Sequence, residues 1–204
     1  MKIALIGATG NIGSRVLNEA LSRGHSVTAI ARKADALAAK PGLTARVADL
    51  HQPAQLGPVL AGHDAVVSAV HFLASDFAKL LQAVRASGVK RWLMVGGAGS
   101  LEVAPGLKLI DAPGFPEAYR AEAAKGGEFL AALKAEAGDL DWTFLSPSAL
   151  IVPGERTGKF RLGRDELLKD AKGNSSISME DYAIALVDEL ENPKHIRQRF
   201  TVGY

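Results

Sequence analysis

Apolar residues along this chain fall into short unbroken runs, separated by longer stretches in which they recur every third or fourth position. The runs KIALI (2–6), SVTAIA (26–31), TARVAD (44–49), DAVVSAV (64–70), RWLMVGG (91–97), DWTFLSP (141–147) and RFTVGY (199–204) predict strands. A continuous run such as DAVVSAV suits a strand buried on both faces of a parallel sheet. Between these runs, NIGSRVLNEALSRG (11–24) predicts a helix stopped by Gly24, and a short helix follows Pro53. Further helices are expected over 75–87, ended by Gly88, over 117–137, and over MEDYAIALVDELEN (179–192). Strand and helix alternate, which predicts an α/β fold of the Rossmann type, doubly wound, with a mainly parallel sheet and helices on both faces. The stretches 96–116 and 152–178 are Gly- and Pro-rich loops, long enough to suggest function. The expected organisation is a single nucleotide-binding domain over 1–204 with a small substrate-side region at about 147–178.

Composition narrows the function classes. The chain has 204 residues, a formal net charge of +2, 48% hydrophobic and 23% charged residues, the balance of an ordinary soluble domain. No stretch combines clustered Lys and Arg with interleaved aromatics, so no nucleic-acid partner is implied. Cysteine is absent, which removes disulfides, thiolate metal sites and cysteine nucleophiles together. His25, His51, His63, His71 and His195 show no metal-ligand spacing, so no metal is expected. MKIALIGATG reads as a buried strand and its turn rather than a signal peptide. No run approaches the ~18–20 apolar residues of a membrane span. The expectation is a cytoplasmic monomer or homodimer with a small-molecule acceptor and no membrane partner.

The densest chemical signal is IGATGNIGSRV at 6–16, where Gly7, Gly10 and Gly13 fall three apart between the first strand and the first helix. A glycine-rich turn before a helix N-terminus receives phosphate well. In a dinucleotide site the first glycine permits the turn, the second admits the pyrophosphate and the third lets the helix pack closely. The loop Gly7, Ala8, Thr9, Gly10, Asn11, Ile12 and Gly13 is therefore the candidate cofactor cradle. The second strand bears on which cofactor. A site for NAD places a carboxylate there about 20 residues after the glycines. Here Arg32 and Lys33 follow Ala31, with no carboxylate before Asp35. Two cations, one a planar guanidinium, favour a 2′-phosphate, hence NADP(H) over NAD(H).

GATGNIG in this order of elements resembles the short-chain dehydrogenase/reductase superfamily, although its spacing is G-x-x-G-x-x-G. More closely, the chain is similar to the atypical, NmrA-like group of small NAD(P)H-binding proteins and NADH–flavin reductases. The likeness spans nearly the whole chain, through VSAV, MVGGAGSL, WTFLSPS and SMEDYAIALVDELENP. It implies cofactor contacts at Asp49 and Leu50 after the third strand, and at Ser68, Ala69 and Val70 after the fourth. It also implies contacts at Gly96 and Gly97 after the fifth strand, and at Ser146 and Pro147 on the sixth. Asp49 reads equally as a turn residue, and Pro147 equally as a strand terminator.

The superfamily's Tyr-x-x-x-Lys pair is missing. Residues four beyond Tyr119 and Tyr182 are Ala123 and Leu186, Tyr204 ends the sequence, and Lys125 stands six from Tyr119 on the wrong side of a helix. A ketone needs a proton as hydride arrives, whereas an oxidised flavin, FMN or FAD, takes hydride into a delocalised ring. Catalysis by positioning alone therefore suits a flavin or quinone. The 58 residues after Ser146 are too few for the substrate lobe of the sugar-nucleotide epimerases. No catalytic residue is firm. His71, Ser100 and Tyr119 are candidates, and Arg156, Lys159, Arg161 and Arg164 form a cationic stretch that could meet a flavin phosphate or simply face solvent. Two other readings stay open. One is a non-catalytic NADP(H) redox sensor of the NmrA-like type. The other is a carbonyl reductase with a non-standard proton donor.

Overall fold

The computed structural model describes residues 1–34 and 37–204, and Asp35 lies outside them. In chain order the elements are β1 (Lys2–Ile6), α1 (Asn11–Ser22), β2 (Ser26–Ala31), β3 (Leu43–Val47), α2 (Pro53–Leu60) and β4 (Ala65–Ser68). Next come α3 (Phe77–Ser87), β5 (Arg91–Val95), β6 (Glu102–Ala104), β7 (Leu107–Lys108), α4 (Glu117–Glu136) and β8 (Asp141–Ser146). The chain ends with β9 (Leu150–Val152), β10 (Arg161–Gly163), β11 (Ser176–Ser178), α5 (Met179–Glu191) and β12 (Gln198–Gly203). Eight strands form one sheet in the order β10-β12-β8-β5-β4-β1-β2-β3. All its pairings are parallel except that of the edge strand β10 with β12. This is the doubly wound Rossmann arrangement that the hydrophobic pattern predicts.

The unbroken apolar runs are explained by the two faces of the sheet. Ile3 and Leu5 of β1 join Val27, Val67, Leu93, Leu145 and Phe200 against Val16 and Leu17 of α1 and Tyr182 and Leu186 of α5. Ala4 and Ile6, the alternate residues, join Ile30, Val66, Trp92 and Phe144 against Leu56 and Leu60 of α2, Leu80 and Val84 of α3, and Phe129 and Leu133 of α4. Each large side chain so buried contributes about 1.5–3 kcal/mol. α3 and α5 begin with side-chain caps, Asp76 accepting from the Lys79 amide and Ser178 from that of Asp181. α1 packs beside α5, and Arg15–Glu180, Arg23–Asp188 and Arg23–Glu191 ion pairs at 2.7–3.0 Å join the two helices.

β1 and β2 span the expected residues, and the other expected strands form with ends shifted by one or two. β3 stops at Val47 and β4 at Ser68, so Asp49 and Leu50 lie in the turn before α2, not at the end of a strand. The two long loops contain short ladders of two or three residues, β6 with β7 and β9 with β11, and the edge strand β10. Two of the four cations in the late loop, Arg156 and Arg161, are engaged by the fold. Arg156 grips Glu19 of α1 through two bonds of 2.8 Å, and Arg161 donates to the carbonyls of Lys169 and Tyr204. Asp181, fully buried, accepts from Thr157 Oγ1, from the Thr157 and Gly158 amides and from the Tyr204 hydroxyl. It thereby ties the 154–159 segment and the last residue to α5. At the amino edge of the sheet, Arg91 reaches the buried Glu189 at 2.9 Å, and Glu189 also accepts from the amides of Lys194 and His195.

Candidate functional site

Sheet order and chain order together decide where a site can form. After β3 the chain crosses back over β1 to enter β4 on its other side. The loops leaving the carboxyl ends of β1 and β4 therefore diverge and open a crevice, the usual ligand position in a doubly wound sheet. The predicted residues fall on this edge in spatial sequence. Arg32 and Lys33 follow β2, residues 7–13 follow β1, 69–71 follow β4, Gly96 and Gly97 follow β5, and Ser146 and Pro147 end β8. Four strand spacings separate β2 from β8, about 19 Å at ~4.8 Å each.

The three glycines serve different needs. Gly7 has φ of +83°, and a Cβ on it would stand 2.2 Å from the Ala69 carbonyl oxygen. A Cβ on Gly13 would stand 2.1 Å from the Gly7 carbonyl oxygen. The protein itself excludes side chains at both, Gly13 by contact with its own entry turn. Gly10 differs: its backbone is extended, and its nearest neighbours would be Gly7 O at 3.3 Å and Ala69 O at 3.9 Å. α1 starts here with no side-chain cap and no acidic residue in its first turn. The amides of Asn11, Ile12 and Gly13 have no acceptor inside the helix and face its positive dipole end. Ala8 is buried and Ile12 packs on the core, while Thr9, Gly10 and Asn11 are exposed. Beside them Thr9, Arg32 and Lys33 line a groove of about 530 Å³. Arg32 and Lys33 form no ion pair among the described residues. Asp49 accepts from the His51 amide at 2.9 Å and lies within reach of the Gln52 side chain at 3.4 Å. The His51 amide holds its carboxyl below the usual range, with smaller help from Gln52, His51 and Arg32. Asp49 thus ties the turn before α2 through the His51 amide, and Leu50 packs against the core.

Farther along the edge, backbone dominates. Ser68 is buried and its Oγ accepts from Trp92 Nε1 at 2.9 Å, so its side chain serves the core. Ala69 and Val70 are half-buried beside Gly7. Gly96 is a packing glycine, since a Cβ there would stand 2.4 Å from the Phe144 ring, whereas Gly97 has 3.5 Å of clearance to Phe72. Ser146 and Pro147 are buried, and Ser146 Oγ has no hydrogen-bond partner.

The acid candidates separate clearly. Tyr119 is 67% exposed in the first turn of α4, and Lys125 pairs with Glu128 at 2.7 Å, so the two are not brought together. Ser100 Oγ accepts from Arg199, a buried guanidinium that also grips Asp165, which commits this serine to the fold. His71 is exposed beside the crevice, with Nδ1 3.4 Å from Glu122 Oε1. Glu122, on α4, also accepts from the amides of Phe72 and Leu73 at 2.7 and 3.0 Å. Sequence reasoning missed Glu122, because in EAYRAEAAK nothing separates it from a solvent-facing helix charge. Among the described residues no cluster of three or more His, Asp or Glu could hold a metal, and no helix is long and apolar enough to cross a membrane.

A switch-point crevice with a glycine turn, an uncapped helix start and a cationic groove defines a Rossmann protein of the nucleotide-binding class. The chain belongs to the NAD(P)H-binding family, whose model matches residues 7–193, within the atypical short-chain dehydrogenase/reductase group. It is 41% identical to the YwnB protein of Bacillus subtilis, over 99% of this chain and 98% of that one. Among solved structures it is similar to a Bacteroides thetaiotaomicron protein provisionally described as an epimerase (44% identity, TM-score 0.94, 100% of this chain and 96% of that one). It is also similar to a Streptococcus pneumoniae protein provisionally described as an NADH-flavin reductase (35% identity, TM-score 0.86, 100% and 99%).

Proposed function

We propose that the protein is an oxidoreductase that passes hydride from NADPH to a flavin or similar planar acceptor. One observation carries the reading: the open Gly10 turn and the Arg32–Lys33 groove share a carboxyl edge that, among the described residues, holds no tyrosine–lysine pair. The residues fit a nicotinamide dinucleotide, because α1 opens with uncapped amides at the exposed Thr9–Asn11 turn, beside the Arg32–Lys33 groove. Asn11, Ile12 and Gly13 would hold the pyrophosphate through backbone N–H groups, beside Gly10, whose own N–H closes the turn on the Gly7 carbonyl. Arg32 and Lys33 grip the 2′-phosphate from the groove. The backbone of 69–70 and 96–97, with Pro147, shapes the nicotinamide end, and the acceptor enters beside 147–178. When bound, the dinucleotide supplies the hydride. The chain holds two flat rings together and limits water, and that positioning is its catalytic contribution. The likeness to the Streptococcus pneumoniae protein along the whole chain supports a flavin as acceptor.

The test pairs calorimetric titration of NADPH and NADH with a steady-state assay of NADPH oxidation in excess FMN. Tighter binding of NADPH and saturable oxidation are expected. Saturable binding with no oxidation by FMN or by a quinone would show a redox sensor instead.

A further inference from the structure

The β4–α3 loop carries a histidine and a carboxylate arrangement that positioning alone does not use. Ala69 anchors the start of the loop against Gly7, and Phe72 anchors the next turn inside the core, stacked on Phe144 and edge-on to Phe129. His71 lies between these anchors, so its backbone is fixed while its ring, 87% exposed, stands free beside the crevice. Glu122 reaches across from α4 and locks the loop by accepting from the Phe72 and Leu73 amides. The same carboxylate faces His71 Nδ1 at 3.4 Å, which leaves Nε2 without a protein partner. A ring that faces a carboxylate at Nδ1 and is free at Nε2 is placed to act as a proton donor or acceptor at Nε2.

We infer that His71 is the proton donor to the acceptor and that Glu122 is its positioning residue. This rests on the hydride-transfer reading and narrows the acceptor to one that gains a proton on oxygen as it is reduced, a quinone. The balance is simple. Hydride with its electron pair arrives from the bound dinucleotide, and the His71 Nε2–H bond breaks as an O–H bond forms on the acceptor. The neutral imidazole left behind carries its proton on Nδ1, facing Glu122, and water recharges Nε2 because the ring is exposed. The titratable neighbours that bear on this are few. On α4 they are Glu122 and, one turn to either side, Tyr119 and Lys125, the latter paired with Glu128. Residues 7–13 and 96–100 contribute none, and on the loop itself Asp76 caps α3.

Two measurements test it. The first reads the protein without cofactor. Long-range ¹H–¹⁵N spectra should show the neutral His71 ring as the Nδ1–H tautomer, and Glu122→Gln should return it to the Nε2–H form that predominates in free histidine. An Nε2–H tautomer in the native protein would overturn the arrangement. The second is single-turnover reduction of a water-soluble benzoquinone by NADPH. His71→Ala should lose about 100-fold or more in the transfer step, with NADPH affinity unchanged and the rate substantially restored by imidazole in solution. An unchanged rate, or a loss that imidazole does not rescue, overturns the proton-donor role while the hydride-transfer reading stands. A native protein that oxidises NADPH with FMN but not with the quinone also overturns it. Oxidation with neither acceptor defeats both readings together.

Discussion

Gly7 and Gly13 are glycines because carbonyl groups of the protein occupy the positions of their side chains, and Gly10 is one for a different reason. The sequence presents the three as equals; the carbonyls of Ala69 and Gly7, remote or hidden in a turn, are what tell them apart. Gly13→Ala should therefore lower the melting temperature, since its Cβ meets backbone that cannot move aside. Gly10→Val should stay folded yet lose nucleotide binding, because the branched side chain fills the place of the pyrophosphate. Thermal melting combined with cofactor titration checks both, and native affinity in folded Gly10→Val would reduce the glycine stretch to a turn. Arg32 offers a second residue-scale test. A charge-assisted hydrogen bond is worth about 1.5–3 kcal/mol, so Arg32→Ala should lose roughly tenfold or more for NADPH with NADH little changed. Equal losses by calorimetry would remove Arg32 from the 2′-phosphate.

Helices and central strands were legible because a strand buried on both faces writes an unbroken apolar run, and a Gly or Ser boundary marks a helix end. Gly88, left-handed after α3, and Ser178, capping α5, are such marks. The ladders β6–β7 and β9–β11 were not legible, since two or three residues are too short to show a period. Side-chain commitments were hidden for another reason. Ser68 looks like an edge hydroxyl until Trp92 is found to donate to it, and Arg156 looks solvated until Glu19 is found beneath it. Asp181 is the element-scale case with a measurable consequence. Burial works to raise its carboxyl, but hydrogen bonds from Thr157, Gly158 and Tyr204 outweigh that and hold it below the ordinary range. A depressed folded value means that its stabilisation is complete above the unfolded value of about 3.9 and fades as pH falls through the lower folded one. Acid melts should show this loss below about pH 4. Asp181→Asn should be less stable at neutral pH and show a shallower acid limb; identical acid limbs would contradict the assignment.

Across the molecule, the two edges of the sheet divide the work. The carboxyl edge gathers the glycine turn, the cationic groove and His71, while the amino edge holds the buried Arg91–Glu189 pair. Removing one partner of a buried pair costs about 3–5 kcal/mol, because the other charge is left without compensation. Glu189→Gln should therefore lose stability on that order, read by denaturant unfolding, with NADPH affinity intact in the folded protein. A large loss of affinity without a loss of stability would show that the edges are coupled. The central claim is that this carboxyl edge passes hydride from NADPH to a planar acceptor, and one measurement addresses it most directly. In stopped-flow single turnover, NADPH deuterated at the transferred position is mixed with the protein and excess FMN. The account predicts saturable oxidation slowed by a primary isotope effect, with Tyr119→Phe within a few-fold of native, since loss of a true general acid costs ~10²–10⁴. Saturable NADPH binding with no oxidation by FMN or by a quinone, or a thousandfold drop for Tyr119→Phe with cofactor affinity intact, would contradict it.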